Sequence, residues 1–250
     1  MRRYFRLFRN ISNWSLYFAV KFSLTNVDPL LFKTRNNILI EVPRRLLHEF
    51  KEIFMEECYV KGLGLNIPDS PVIIDIGANA GFFSLFAASQ FPGAKIFSYE
   101  PIGNNFRQLQ RNSDLNKNCH IMSFPKAVAG QSGEISLSFD LSDGFTTAAT
   151  IFGEFTKHDT TIQVPCVSLP ETFNEHHLER CDLLKMDCEG SEYSIIYNCP
   201  SDYLKRIAQM AIEVHKGSGA GQNIQTLGDY LVGSGFQIHK HTHMLWAWRC

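Results

Sequence analysis

The chain has 250 residues, 44% of them hydrophobic and 20% charged, with a net charge of −1. A chain of this size buries about 70–75% of its unfolded surface and needs no staples, and its balanced charge offers no global basic field for nucleic acid. The seven cysteines (58, 119, 166, 181, 188, 199 and 250) are scattered with no C-x-x-C pair. That argues against a disulfide framework or thiolate zinc site and for reduced thiols in the cytoplasm.

The first segment, "MRRYFRLFRNISNWSLYFAVKF", is basic, and its apolar run from Trp14 to Val20 stops at Lys21. That run is too short to cross a bilayer, and no small-residue cleavage site follows. Wound as one helix, it puts Tyr4, Leu7, Phe8, Ile11, Trp14 and Phe18 on one face and Arg2, Arg6, Arg9 and Asn13 on the other. Such a helix either lies on an acidic membrane surface through residues 1–20 or packs on its own domain. A strand at "NILIEV" and a helix through "RRLLHEFKEIFMEE" follow, with Leu46, Leu47, Phe50, Ile53 and Phe54 at helical spacing. "NIPDSP" marks a boundary, so the expected division is an N-terminal α/β extension over 1–68 and a larger domain over 69–250.

From residue 72 strands and helices alternate. "VIIDI" is apolar throughout, as suits a parallel strand covered on both faces. A helix from Ala80, strand "KIFSYE", a helix through "NNFRQLQRNSDLN" and strand "CHIMSF" come next, then a β-rich stretch from "GEISLSFD" to "TIQVPCV". The alternation resumes with strand "DLLKMD", a helix through "SEYSIIYN", strand "AQMAIEVH", a helix near "IQTLGDYLV", and strands "FQIHKH" and "MLWAWR". The last two are so close that they form an antiparallel hairpin. The expected fold is α/β: a doubly wound, mostly parallel sheet with an antiparallel C-terminal hairpin and ligands at the carboxyl ends of its strands.

After the first of these strands stands D-x-G-x-N-x-G: Asp75, Gly77, Asn79 and Gly81. A pyrophosphate-binding loop wants G-x-G-x-x-G and no carboxylate beside the anion. A carboxylate at Asp75 suits a cofactor carrying an ammonium and a sulfonium, and Glu100 ends the next strand where an acid takes both ribose hydroxyls. S-adenosylmethionine meets both requirements and has no pyrophosphate. The plainer reading is that the glycines permit a tight turn and Glu100 is a solvated strand end.

In "CDLLKMDCEGSEY", period 2 puts Lys185 and Asp187 on one face of a strand, with Glu189 and Glu192 just beyond it. "AIEVH" does the same for Glu213 and His215. If the strands are neighbours, these groups converge beside the glycine loop, either for chemistry or as an ion-pair network that orients the loop. A lysine in an apolar strand is costly without a partner, and Glu213 is the first candidate.

"VIIDIGANAGFFSL", "FSYEPIGNNFRQLQRNSDLN", "DLLKMDCEGSEYSII" and "IEVH" together resemble the FkbM-type methyltransferases, over about residues 40–250 and including "LIEVPRRLLHEFKEIF". The resemblance implies a class I methyltransferase (Rossmann-like) fold and O-methylation by S-adenosylmethionine of a sugar, glycan or polyketide-type natural product. By position it implies that Asp75, Gly77, Asn79, Gly81 and Glu100 contact the donor. Lys185, Asp187, Glu189 and Glu192 match the family's K-x-D-x-E-G-x-E signature. One departure is "VSLPETF", where Pro170 stands in place of the family's acid, and Glu171 is the nearest substitute.

O-methylation needs alignment of the reactants and a base for the hydroxyl proton. Asp187 and His215 are the candidates, with His215 favoured because an ordinary imidazole titrates near neutrality. Lys185 then holds the base or stabilises an alkoxide. Alternatively Asp187 and Glu213 share a divalent metal. No [DN]-P-P-[YF] follows Asp187, which disfavours an exocyclic amine of a base, and Cys166 precedes the wrong strand for a cytosine-attacking thiol. His239, His241 and His243 read as solvated hairpin residues whose register the turn breaks. The competing functions are an NAD-linked oxidoreductase, disfavoured by the glycine spacing, and a binding module without turnover.

Overall fold

The structure is a computed structural model that describes residues 2–139, 160–217, 219 and 221–249. The N-terminal segment is two helices, α1 (Arg2–Asn10) and α2 (Ser15–Lys21), where one was expected. The break has a local cause. Ile11 bridges to Thr34, and the Asn13 side chain donates to the Leu31 carbonyl and accepts from the Lys33 amide, the kind of side-chain bonding that competes with helix. The expected apolar face is split as a result: Leu7 and Ile11 are buried, but Phe8 and Trp14 remain partly exposed. Arg6 and Arg9, expected to face solvent, both pair with the buried carboxylate of Glu57, which also accepts from Asn10.

The chain then forms a hairpin of β1 (Leu30–Lys33), a strand the sequence reading missed, and β2 (Leu39–Val42). A 3-10 turn, α3 (Leu47–Lys51) and a π turn (Glu52–Glu56) follow. Phe50 and Phe54 stack at 5.0 Å and meet Phe82 and Phe86 of α4 (Phe82–Gln90) edge-on. Helix α4 is apolar on every side and buried from Phe82 to Ser89, so it needs cover on both faces. The sheet supplies one face and the extension the other. Each buried phenylalanine contributes roughly 1.5–3 kcal/mol.

The main sheet holds β3 (Val72–Ile76), β4 (Lys95–Tyr99), β5 (His120–Phe124), β9 (Leu183–Met186), β10 (Gln209–Glu213), β11 (Gln237–His241) and β12 (Met244–Trp248), in the order β11-β12-β10-β9-β3-β4-β5. Only β12 runs against its neighbours, as the hairpin required. Helix α5 (Gly103–Asp114) follows β4. A separate sheet, ordered β6-β8-β7, is built from β6 (Ala127–Ala129), β7 (Gly133–Phe139) and β8 (Thr160–Ser168). It is the β-rich stretch expected from sequence, of which residues 140–159 lie outside the described residues. Helices α6 (Leu169–Glu175), α7 (Glu192–Tyr197), α8 (Ser201–Leu204) and α9 (Ile224–Gly233) complete the order. Strand order reverses between β3 and β9, which places the site: ligands of such sheets bind in the crevice at that point. Among the described residues, no helix is long and apolar enough to cross a membrane.

Candidate active site

At the switch point β3 and β9 pair in parallel with Asp75 directly opposite Lys185. Their side chains form an ion pair at 3.1 Å, with exposures of 0% and 3%. The expected partner of Lys185 was Glu213; the strand on its other side wins because of register. Lys185 Nζ also donates to the carbonyls of Gly77 at 2.7 Å and Ile76 at 3.3 Å. Lys185 therefore fastens the glycine loop to β9, and it also lines the second cleft at this end of the sheet. Burial opposes its charge, but Asp75 and then Asp187 outweigh it and raise its pKa.

Asp75 also departs from expectation. It lines neither cleft at this end of the sheet; its other oxygen accepts from Ser84 at 2.6 Å. Asp75 shapes the loop from beneath through Lys185 and Ser84.

Gly77 has φ 71°, and a Cβ there would lie 1.8 Å from the Asp187 carbonyl oxygen, so the loop passes β9 only as glycine. Gly81 permits the turn into α4 without lining either cleft. Asn79 lines both clefts, and its Oδ1 is buried without a partner among the described residues. Glu100 lines the first cleft, its oxygens accepting the backbone N–H of Asn79 and of Ile102, each at 2.8 Å. Burial pushes its pKa up to about 7. Ile102, Ala127, Val128, Ile135 and Leu137 give this cleft, of about 610 Å³, an apolar wall.

The second cleft, of about 680 Å³, shares Gly77, Asn79, Asp187 and Glu189 with the first. Glu49, Glu52, Asp187, Glu189 and Glu213 make it acidic. Glu189 sits at φ 52°, a backbone conformation that costs a residue with a side chain about 1–3 kcal/mol. This turn brings its carboxylate to 3.3 Å from His215 Nε2. On the other side of the ring, His215 Nδ1 meets the buried Glu192 at 2.8 Å. Asp187 stands 3.9 Å from His215 Nε2. Burial alone would lower the pKa of His215; the Glu192 bond and the charges of Glu192, Glu189 and Asp187 outweigh it and raise it to about 9. His215 is thus an imidazolium at neutral pH and carries a proton instead of taking one. The reason for favouring it as the base fails. Within this cluster Glu189, pushed up to about 7 chiefly by burial, titrates near neutrality.

Tyr59 was missed. Its hydroxyl lies 2.7 Å from Asp187 Oδ2 and 3.1 Å from Glu213 Oε2. A phenol has one hydrogen, so it donates to one carboxylate while the other bond needs a protonated Glu213, whose pKa burial and then Asp187 raise. Tyr59 comes from the extension and is anchored by Trp246, whose Nε1 donates to the Tyr59 carbonyl at 2.7 Å. Gly62 permits this crossing, since a Cβ there would lie 2.3 Å from the Trp246 ring.

Of the remaining candidates, Glu171 accepts from Ser132 and lines neither cleft. Cys166 is a buried residue of β8. The turn does break the hairpin histidines apart: His239 stacks on Trp246, whereas His243 reaches Glu213 at 3.2 Å.

The model of the FkbM methyltransferase domain matches residues 75–245. The chain belongs to the FkbM methyltransferase family. It is accordingly an S-adenosylmethionine-dependent methyltransferase, which sets the oxidoreductase alternative aside. Curated relatives include methyltransferase sdnD of Sordaria araneosa, 28% identical over 76% of this chain and 82% of the relative. Another is 31-O-demethyl-FK506 methyltransferase FkbM of Streptomyces tacrolimicus, 26% identical over 79% and 84%. Among solved structures, an FkbM methyltransferase of Methylobacillus flagellatus shares the fold at a TM-score of 0.51 and 16% identity. It aligns with 82% of this family member, which spans about half (54%) of that crystallised chain.

Proposed function

We propose that this methyltransferase acts on a hydroxyl of a neutral, polyhydroxylated acceptor, a sugar or a polyketide-type natural product. The observation that carries the reading is the second cleft, with its five carboxylates. Ionised carboxylates only accept hydrogen bonds, so a cleft in which they outnumber the cations Lys185 and His215 suits a neutral acceptor that presents hydroxyls. The Streptomyces tacrolimicus relative is named for methylating 31-O-demethyl-FK506, which agrees with an oxygen acceptor.

S-adenosylmethionine supplies an electrophilic methyl on sulfur when bound. The first cleft fits it: the Glu100 oxygens, each holding one backbone N–H, retain lone pairs for a ribose diol. The apolar wall suits adenine, and the orphan Asn79 Oδ1 suits an ammonium. That Asp187 and Glu189 line both clefts supports an acceptor hydroxyl beside them. With the donor bound, Glu189 would take the acceptor's hydroxyl proton, and the imidazolium of His215 holds Glu189 and Asp187 in place. This assigns the base to Glu189, with Asp187 and Tyr59 orienting the acceptor.

The test is calorimetric titration with S-adenosylhomocysteine followed by turnover with a panel of glycosides and polyols. Binding with turnover on a hydroxyl, lost in Glu189→Gln while binding persists, supports the assignment. Binding without turnover on any hydroxyl favours a binding module.

One geometric fact favours a second reading. Asp187, Glu189 and His215 offer ligand atoms within 4.8 Å of one another, and Glu192 behind the imidazole matches the carboxylate that commonly orients a metal-bound histidine. A divalent cation there would displace the His215 proton and activate the hydroxyl directly. Activity abolished by a chelator and restored by magnesium or manganese selects this reading over the metal-free one.

A further inference from the structure

The charge of the chain is segregated. Residues 1–45 contain nine Lys or Arg and two Asp or Glu, a net +7, while the other 205 residues carry −8. Apolar exposure is segregated in the same way: among the described residues, seven of the twelve exposed large hydrophobic side chains lie between residues 5 and 31. Phe5, Phe22, Leu24 and Val27 are 69, 62, 78 and 58% exposed.

The rings of Tyr4, Phe8, Trp14, Phe18 and Phe22 form one contact network. Phe8 meets Trp14 edge-on at 4.9 Å, Trp14 meets Phe18 at 6.0 Å, and Phe18 stacks on Phe22 at 6.3 Å and Tyr4 at 5.7 Å. Phe5 and Phe8 are neighbours on α1 by i,i+3 spacing. Cations rim the cluster: Lys21 Nζ lies 5.1 Å from the Tyr4 ring and 5.7 Å from the Phe22 ring, and Arg3 lies 5.1 Å from Tyr4. On β1 the alternation turns Leu31 and Lys33 outward. Arg6 and Arg9 are held by Glu57 and Arg35 bonds the Phe8 carbonyl, whereas Arg2, Arg3, Lys21 and Lys33 are exposed cations of the same segment.

We propose that the face formed by α1, α2 and the loop to β1 docks on an anionic lipid surface. Phe5, Phe22, Leu24 and Val27 enter the headgroup–acyl boundary while Arg2, Arg3, Lys21 and Lys33 meet lipid phosphates. Amphipathic aromatic rings favour that boundary, and apolar insertion together with basic charge is the pairing that gives stable but reversible attachment. The opposite face of α1, carrying Leu7 and Asn10, is buried against the domain. The docking face is thus preformed, and attachment requires no unfolding of the helices.

The test is sedimentation of the full chain with large vesicles of phosphatidylcholine alone or with 30% phosphatidylglycerol, in about 100 mM salt. The expected result is partitioning onto the anionic vesicles only, weakening as salt rises, with a blue-shifted Trp14 emission that disappears in Trp14→Phe. Phe5→Ser/Phe22→Ser/Leu24→Ser and Arg2→Glu/Arg3→Glu/Lys21→Glu should each reduce partitioning at least tenfold. Neither variant should change S-adenosylhomocysteine affinity or thermal midpoint. A chain that stays in the supernatant at millimolar anionic lipid overturns the proposal. So does a dimer, seen by light scattering and abolished by the serine substitutions, that does not bind vesicles: the face is then a contact between copies.

Discussion

Lys185 and Asp187 are two residues apart on one strand, yet their surroundings differ. Lys185 is almost fully buried, paired with Asp75 and bonded to two carbonyls of the glycine loop. Asp187 opens onto both clefts, among Glu189, Glu213 and Glu192 with His215 as the nearest counter-charge. The first arrangement is neutral and closed and sets the shape of the glycine loop. The second has an excess of negative charge and a half-exposed carboxylate that titrates near neutral pH. Structural and chemical uses of charge can therefore sit side by side in one motif. What distinguishes them is whether each charge is already paired.

The largest effect should come from opening the closed pair. Lys185→Met leaves Asp75 buried without its counter-charge and should cost about 3–5 kcal/mol by urea denaturation, with Lys185→Met/Asp75→Leu recovering much of that loss. A double variant as unstable as the single one would mean that the carbonyl bonds, not the ion pair, dominate. At the open cluster, Glu189→Gln should slow turnover by about 10²–10⁴-fold with little change in stability. The wild-type rate should rise with pH through about 7 as Glu189 releases its proton.

A smaller effect concerns the pH dependence of stability without ligand. Glu100 and Glu189 are raised to about 7 in the folded chain, so between the unfolded value of about 4.3 and 7 the native state binds more protons than the unfolded one. That contribution is fully present below about 4.3 and lost as pH rises through 7. His215, raised to about 9, adds stability present below about 6.5 and lost as pH rises through 9. Stability should fall from pH 5 to 9, by about 1–3 kcal/mol for Glu100, and Glu100→Gln should flatten the lower half of the curve. Smallest of all, Tyr59→Phe should cost about 1 kcal/mol and shift the rate profile by changing how Asp187 and Glu213 share a proton. An unchanged profile would show that Tyr59 only fills space.

The alternation of apolar strands with amphipathic helices, and the hairpin at "FQIHKH" and "MLWAWR", were legible because period and spacing are local properties. The face shared by Lys185 and Asp187 was legible for the same reason. The partner of Lys185 was not: that depends on which strand lies on each side and in what register, and β3 set Asp75 directly opposite. The charge of His215 escaped notice because it is set by Glu192 and Glu189, which reach the ring through a turn after β9. Tyr59 gave no signal, since it lies in an irregular segment far in sequence from every group it touches. The break between α1 and α2 came from Asn13, whose side chain bonds a strand the sequence reading had not placed.

The bond from Trp246 to the Tyr59 carbonyl spans 187 residues of sequence. Contacts between such distant positions form late, because the intervening chain must be made and ordered first. During synthesis β3, the glycine loop and β4 emerge from the ribosome well before β12 gives Tyr59 its anchor. The glycine loop can therefore meet Lys185 of β9, which fastens it, while the segment carrying Tyr59 still lacks its anchor.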